Sequence, residues 1–179
     1  MRITALSTLL LALAAGGEEP AAKPPMALTP FVVFRGSDSA IKESRYLRIE
    51  TAEAWTKLWL EHRGIAADRH SDYYNEAGVP EVDFERCMVL AFFPGETTNS
   101  AGVDLVSVED LHSSLRVRFR QRWFQTLGAD GGGRATRPFG LFVVQRRTIL
   151  MHVQEDVQGS KRGDAEWKER AKIDGPKPW

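Results

Sequence analysis

Four arginines alternate with other residues along one stretch, Leu115 to Phe124 (LRVRFRQRWF). Successive side chains of a β-strand point to opposite faces, so the four guanidinium groups are expected to share one face. These four residues, here called the arginine ladder, are Arg116, Arg118, Arg120 and Arg122. The intervening Val117, Phe119 and Trp123 are expected to point inward.

The arginine ladder has two interpretations. Guanidinium groups bind carboxylates through two parallel hydrogen bonds, so a row of them predicts a surface for an acidic partner. The alternative is a solvated sheet face whose charge is balanced by Glu or Asp on neighbouring strands, and screened by salt. Because alternation alone places four arginines on one face, the solvated face is the favoured interpretation.

A second group of residues has the chemistry of metal ligands: His62, Asp68, His70 and Asp72. Helical zinc sites place two histidines four residues apart, so that both reach one ion. His62 ends a predicted helix and His70 lies in a turn-rich segment, so no periodicity aligns them. We interpret His62 as a helix C-terminal residue near solvent-facing aspartates, and no metal or cofactor is predicted.

Nucleophilic catalysis and nucleotide binding have no supporting motif. Ser, His and Asp are all present, but the chain has no G-x-S-x-G elbow. The glycine-rich stretch 128–136 (GADGGGRAT) lacks the Gly-Lys-Ser/Thr of a phosphate loop, and Pro138 opens a predicted strand where such a loop needs a helix. We therefore predict no catalytic residues and interpret the stretch as a surface loop.

Composition and charge predict a globular protein without affinity for nucleic acid. The chain is 42% hydrophobic and 27% charged, and its 24 Lys and Arg equal its 24 Asp and Glu. Balanced charge gives no overall field to recruit nucleic acid or anionic lipid. Cys87 is the only cysteine and lies in an apolar run (CMVLAFF), so we interpret it as a small buried hydrophobe.

One helix is expected from about Thr51 to Arg63. Ala52, Trp55, Trp59 and His62 recur at three- and four-residue spacing, which places them on a single face. Thr51 is expected to cap the N-terminus and Gly64 the C-terminus. A ligand-stacking role for the two tryptophans is the less favoured alternative to packing. The residues predicted to be structural are Trp55, Trp59, Phe84, Met88 and Phe92.

About six or seven strands are expected around that helix. The strand segments are 31–34, 46–50, 87–93, 102–109, 115–124, 139–144 and 148–153. The fully apolar Cys87–Phe93 is typical of an interior strand, and the last two segments have the spacing of a hairpin. A short helix is predicted at 164–173. The expected fold class is α+β, a mainly antiparallel sheet with one packed helix and a small C-terminal helix.

The N-terminus has the pattern of a secretory signal. Arg2 precedes the apolar stretch Ile3–Ala15, and Ala12-Leu13-Ala14 gives the small-x-small pattern of a cleavage site. Met1–Gly17 is therefore predicted as a signal peptide and 18–30 as a Pro-rich linker, followed by one domain at 31–156 and a charged, partly helical tail at 157–179. A secreted or periplasmic protein follows, with no lipid-anchoring Cys and no stable membrane anchor after cleavage; a retained N-terminal anchor is the alternative.

Four stretches together resemble one family. They are SRYLRIETAEAWTKLWLEH, PEVDFERCMVLAFFPGE, the alternating LRVRFRQ strand and TRPFGLFVVQRR. In this order and spacing they are similar to the PrcB C-terminal domain family, named after an accessory subunit of a bacterial surface protease complex. Thr98–Val103 departs from the glycine turn of that family.

The resemblance implies a non-catalytic, extracytoplasmic binding or accessory module, whose partner is an envelope or secreted protein such as a protease. On this interpretation the arginine ladder is the partner-binding candidate. Two alternatives stay open: a hydrolase whose site the sequence does not reveal, and a domain that binds a small ligand or polysaccharide. A deep pocket with convergent polar groups would favour the alternatives, and a flat face would favour a protein partner.

Overall fold

The computed structural model describes residues 23–66, 78–126, 132–158 and 164–175. The predicted signal peptide, Met1–Gly17, lies outside these ranges, as do Asp68, His70 and Asp72. In chain order the elements are β1 (Met26–Ala27), β2 (Val32–Gly36), β3 (Arg45–Ile49), α1 (Ala52–Arg63), β4 (Cys87–Phe93), β5 (Thr97–Thr98), β6 (Ser100–Asp110), β7 (Ser114–Trp123), β8 (Ala135–Thr136), β9 (Phe139–Gln145), β10 (Leu150–Asp156) and β11 (Trp167–Ile173).

The elements form three layers: the helix, a middle sheet and an outer sheet. The middle sheet has the order β2-β9-β4-β3, and the outer sheet has the order β1-β6-β7-β10-β11. All strand pairs of both sheets are antiparallel except β7 and β10, which run parallel. The expected mainly antiparallel fold with one packed helix is confirmed for the described residues.

The middle sheet is buried on both faces because its interior strands are apolar throughout. In β4, Met88, Leu90 and Phe92 pack toward the outer sheet, while Val89 and Phe93 pack toward the helix. All five are completely buried. The prediction of an interior strand at Cys87–Phe93 is confirmed, since β4 lies between β3 and β9.

The helix begins and ends at the predicted caps. Thr51 Oγ1 accepts a hydrogen bond from the Ala54 N–H at 3.2 Å, and Gly64 adopts the left-handed conformation with φ 69°. Trp55, Trp59 and His62 are buried as expected. Ala52 is not: it is exposed, because it lines an open depression between the first turn and residues 79–84.

The other residues predicted to be structural are placed as follows. Met88 and Phe92 have no exposed surface. Phe84 and Cys87 are partly buried and pack against the cluster between the middle sheet and the helix.

The predicted hairpin of β9 and β10 is wrong. β9 lies in the interior of the middle sheet, whereas β10 joins the outer sheet beside β7. Both faces of β9 are apolar and need cover, so it is buried between β2 and β4. A short segment can connect two strands of a hairpin, and it can equally connect strands of two stacked sheets. The length of the β9–β10 link therefore does not distinguish the two arrangements.

Both ends of the domain extend beyond the predicted limits, 31 and 156. Met26 and Ala27 pair with Asp110 and Glu109, and Leu28 is buried in the core, so the expected linker already belongs to the outer sheet at β1. The expected helix at 164–173 is a strand. Its Ala171 and Ile173 pack against the core, because the free edge of β10 offers backbone partners that outweigh weak helical propensity.

A buried arginine joins the C-terminal segment to the middle sheet. The side chain of Arg48 is only 2% exposed and ion-pairs with Glu50 at 3.6 Å. Its Nη1 donates to the Ile149 carbonyl at 2.7 Å, and its Nη2 donates to the Asp174 carbonyl. Arg48 therefore holds together the start of β10 and the end of β11.

The helix that the structure describes lacks the length and apolar character needed to cross a membrane.

Candidate protein-binding surface

The arginine ladder lies on the outer face of the outer sheet, as the alternation predicts. Leu115, Val117 and Phe119 of β7 have no exposed surface and pack into the core. Trp123 was expected to point into the core, but it is 47% exposed. The reason is register: β10 pairs with β7 only as far as Phe119, so no described strand lies beside the end of β7 on that side.

Acidic side chains of β6 form ion pairs with two of the four ladder arginines. Glu109 lies opposite Arg116, and its Oε2 accepts from Arg116 Nε at 3.1 Å. This hydrogen bond is the main reason that the pKa of the Glu109 carboxyl lies below its usual value. Arg122 Nε lies 3.7 Å from Asp104 Oδ2. The predicted balance by acids on a neighbouring strand is therefore observed at both ends of the ladder.

The two central arginines differ from each other. Arg118 donates from Nε to Gln154 Oε1 at 3.1 Å, and its guanidinium lies 4.7 Å from the ring centroid of Trp167. Arg120 is exposed and has no hydrogen-bond or ion-pair partner among the described residues. Its cross-strand neighbour is Asp104, but that carboxylate is already bound by Arg35 and Arg122. Neither Arg118 nor Arg120 therefore has an ion-pair partner among the described residues, and Arg120 also lacks a hydrogen-bond partner there.

Arg120 borders a depression of about 400 Å³ between the two sheets, here called the edge cleft. Its lining includes Val33, Arg35, Asp104, Leu105, Val106, Arg120 and Phe142, so one carboxylate lies beside the two arginines. β2 supplies one wall and β6 the other, and the almost fully buried Phe142 lines the base. Where the walls meet, Gly102 lies against Gly36: a Cβ on Gly102 would be 3.0 Å from the Gly36 carbonyl oxygen.

The walls of the edge cleft are sheet edges. Among the described strands, β2 pairs with β9 alone. β6 pairs with β1 only at Glu109 and Asp110, so between Val103 and Ser107 no described strand covers its outer edge. Strand edges present backbone N–H and C=O groups that another chain can pair with.

Large apolar side chains are exposed beside these edges. Phe31 is 67% exposed, and Val33 and Val106, on opposite walls, are 44% and 47% exposed. Single exposed apolar residues are normal, but a group next to open strand edges is typical of an interaction site.

The core contains a serine and histidine pair that sequence reasoning did not find. Ser39 Oγ lies 3.0 Å from His62 Nδ1 and accepts from the Ile41 N–H at 3.1 Å. Ser39 has no exposed surface and His62 is 5% exposed, so a substrate cannot reach either residue in this conformation. Burial lowers the pKa of His62 to about 4, which keeps the imidazole neutral near pH 7.

That pair had only a partial sequence signal. The helical spacing places His62 on the apolar face of α1, but Ser39 is 23 residues away in an irregular segment. Within the described ranges, no group of three or more His, Cys, Asp or Glu side chains is arranged to hold a metal. Comparison with protein-family models, with curated proteins and with solved structures found no match for this chain.

Proposed function

We propose that this chain is a non-catalytic binding module that acts outside the cytoplasm and captures an extended, acidic segment of a partner protein in the edge cleft. The observation that carries the proposal is the coincidence, at one place, of two open strand edges, exposed apolar side chains and Arg120, which has no hydrogen-bond or ion-pair partner among the described residues. An accessory role beside an envelope or secreted protein, a protease included, is part of the same proposal.

The backbone of the partner would supply affinity through strand addition. An extended peptide that pairs with an exposed strand edge gains a row of main-chain hydrogen bonds, and its alternate side chains then enter neighbouring pockets. In the edge cleft, one set of side chains would contact Val33, Val106 and the base at Phe142. The sheet would gain a strand and the apolar side chains would lose their contact with water.

The arginines would supply selectivity. Arg35 and Arg120 border the cleft, and only Arg35 has an ion-pair partner among the described residues. A carboxylate in the cleft would pair with Arg120 without first breaking an internal ion pair. An aspartate or glutamate flanked by apolar residues is therefore the favoured partner chemistry, and a basic segment is disfavoured by repulsion.

The geometry also supports a module without catalysis. The edge cleft and the depression at the start of the helix are open to solvent, and neither has a serine, cysteine or histidine among its described lining residues. The serine and histidine that do meet, Ser39 and His62, are buried.

Photo-crosslinking tests the proposal and captures the partner in the same experiment. A benzophenone amino acid is placed at Val33 or Val106 and, as the matched control, at Lys57 on the exposed face of the helix. Illumination with envelope or secreted material should give a discrete adduct from the two cleft positions and not from the control. Arg120→Glu in the crosslinking variants should abolish the adduct.

The adduct also reports on the mode of binding. A synthetic peptide that covers the crosslinked partner segment should bind the purified chain, and methylation of alternate backbone nitrogens should remove that binding. Equal adducts at Lys57 and in the cleft, or an adduct that survives Arg120→Glu unchanged, would contradict the proposal.

A further inference from the structure

A second depression, of about 640 Å³, lies at the end of the sandwich where β9 crosses to β10. It is here called the arginine depression, and its charged lining is Arg86, Arg146, Arg147, His112, Glu85 and Asp110. These residues come from three separate parts of the chain: the approach to β4, the β6–β7 hairpin and the β9–β10 link. The edge cleft shares no lining residue with it.

Two of the three arginines are held in place by the fold. Arg147 donates from Nε to Asp110 Oδ2 at 2.8 Å and from Nη1 to the Arg146 carbonyl at 2.9 Å. Arg146 donates from Nη1 to the Phe84 carbonyl at 2.7 Å. A guanidinium that is already fixed loses little conformational freedom when it binds a ligand. Each group also retains N–H donors beyond those used in these contacts.

The depression has an excess of positive charge. Asp110 is the carboxylate that the fold has already neutralised: its hydrogen bond from Arg147 is the main reason that its pKa lies below the usual range. Glu85 is then the only other carboxylate in the lining. Arg86 is exposed, and its side chain has no hydrogen-bond or ion-pair partner among the described residues.

We propose that the arginine depression binds a phosphate or sulfate monoester, with the oxyanion bound by Arg86 and Arg146 and the remainder of the ligand in the rest of the depression. Guanidinium groups match the geometry of tetrahedral oxyanions through paired N–H donors. A volume of about 640 Å³ exceeds what a bare oxyanion fills and suits a body the size of a sugar.

The test is a titration of the ¹⁵N-labelled chain, followed in two-dimensional NMR spectra, with inorganic phosphate, inorganic sulfate, glucose 6-phosphate and glucose as probes. Shifts confined to the lining residues are expected with the three anions, and tighter binding is expected for glucose 6-phosphate. Arg86→Gln should weaken binding about tenfold, the value of one charge-assisted hydrogen bond. Because Arg86 is exposed, this variant should fold normally.

Two matched variants separate a site from general charge attraction. Glu85→Gln removes the competing carboxylate and should tighten anion binding, whereas Lys57→Gln, a surface charge on the helix, should leave the affinity unchanged. The proposal would be overturned if Arg86→Gln and Lys57→Gln weakened anion binding equally. It would also be overturned if glucose bound as tightly as inorganic phosphate. If inorganic phosphate bound as tightly as glucose 6-phosphate, recognition of the oxyanion would be supported. The proposed contact with a sugar-sized body would then be overturned.

Discussion

The Ser39 hydroxyl and Nδ1 of His62 form a hydrogen bond across 3.0 Å in the helix-side core. Ser39 Oγ already accepts the Ile41 N–H, and since the residue has no exposed surface its own hydrogen needs a buried acceptor. With the ring proton on Nε2, His62 Nδ1 is that acceptor; with the proton on Nδ1, the ring donates to Ser39 Oγ instead. Protonation of both ring nitrogens would leave Nδ1 unable to accept and would bury a charge among the rings of Trp59, Phe93 and Phe139.

The burial of His62 predicts a loss of stability in mild acid. The pKa of His62 is about 4 in the folded chain and 6.5 when unperturbed, so between these values the unfolded chain binds more protons. Stability contributed by neutral His62 is therefore complete above pH 6.5 and declines as the pH falls to 4. The free energy of unfolding is expected to drop by about 3 kcal/mol over this range, at about 1.36 kcal/mol per unit of pKa difference.

Urea unfolding at a series of pH values measures this effect, with His62→Gln as the control. The variant is expected to show a much flatter dependence between pH 6.5 and 4. The lowered pKa values of Glu109 and Asp110 act mainly at lower pH, because the stability contributed by their carboxylates is lost as the pH falls through the unfolded values, 4.5 and 3.8, toward the lower folded values. An unchanged slope in the variant would show that another group is responsible.

The two helix tryptophans are expected to be the most costly residues of α1 to truncate. Trp55 and Trp59 are 2% and 8% exposed, their ring centroids lie 5.3 Å apart, and Trp55 Nε1 donates to the Pro80 carbonyl at 2.8 Å. Trp55→Ala and Trp59→Ala should each destabilise the chain by about 3–5 kcal/mol. Lys57→Ala, on the exposed face of the same helix, serves as control and should shift the denaturant midpoint little.

The sequence predicted those elements of the fold that neighbouring residues determine, and failed for elements that depend on distant parts of the chain. The helix with its caps at Thr51 and Gly64, and the interior strand β4, follow from periodicity and composition within a few residues, and both are confirmed. The β9–β10 link and β11 depend on which distant strand completes an edge. β7 and β10, for example, pair although more than 30 residues separate them in the sequence. Local sequence patterns do not encode such a pairing.

The candidate site divides in the same way. Alternation alone predicts that the ladder arginines share a face. Alternation does not predict that Glu109 lies opposite Arg116, because that contact depends on strand register. Nor does it predict the ion pair between Asp104 and Arg35 of the other sheet, which depends on how closely the two sheets approach. The edge cleft has no sequence signal for the same reason.

The ladder arginines are expected to respond differently to charge reversal. Arg120→Glu should leave the melting temperature nearly unchanged, since the side chain is exposed and makes no described contact. Arg118→Glu should lower stability by about 1 kcal/mol, because it loses the hydrogen bond to Gln154 and the contact with Trp167. Thermal unfolding of both variants in parallel checks the difference.

A double-mutant cycle examines the paired end of the ladder. Arg116 and Glu109 are partly exposed, so solvent screens their attraction, and the coupling energy is expected to be about 0–1 kcal/mol. A coupling energy of several kcal/mol would contradict this prediction, because it would mean that the ion pair behaves like one buried from solvent.

Arg48 is expected to control the attachment of β11. Arg48→Met removes the donor to the Ile149 and Asp174 carbonyls and leaves Glu50 as a partly buried charge without its partner. Loss of one member of a buried ion pair costs about 3–5 kcal/mol. Hydrogen exchange should be faster at Trp167–Ile173 than in the wild type, while Cys87–Phe93 should exchange only through global unfolding. Faster exchange spread evenly over the domain would contradict a local role for Arg48.

The alternation of the chain between the two sheets has a consequence for how the protein folds. The outer sheet takes its strands from the beginning, middle and end of the domain, and the middle sheet takes its strands from the segments between them. A chain emerging from a ribosome or a translocation channel cannot complete either sheet until β9 and β10 are free, more than 100 residues after β2. Such non-local pairing is slow, typically on the millisecond to second scale. The nascent chain would therefore remain unfolded through most of its emergence, a state compatible with threading through a narrow channel.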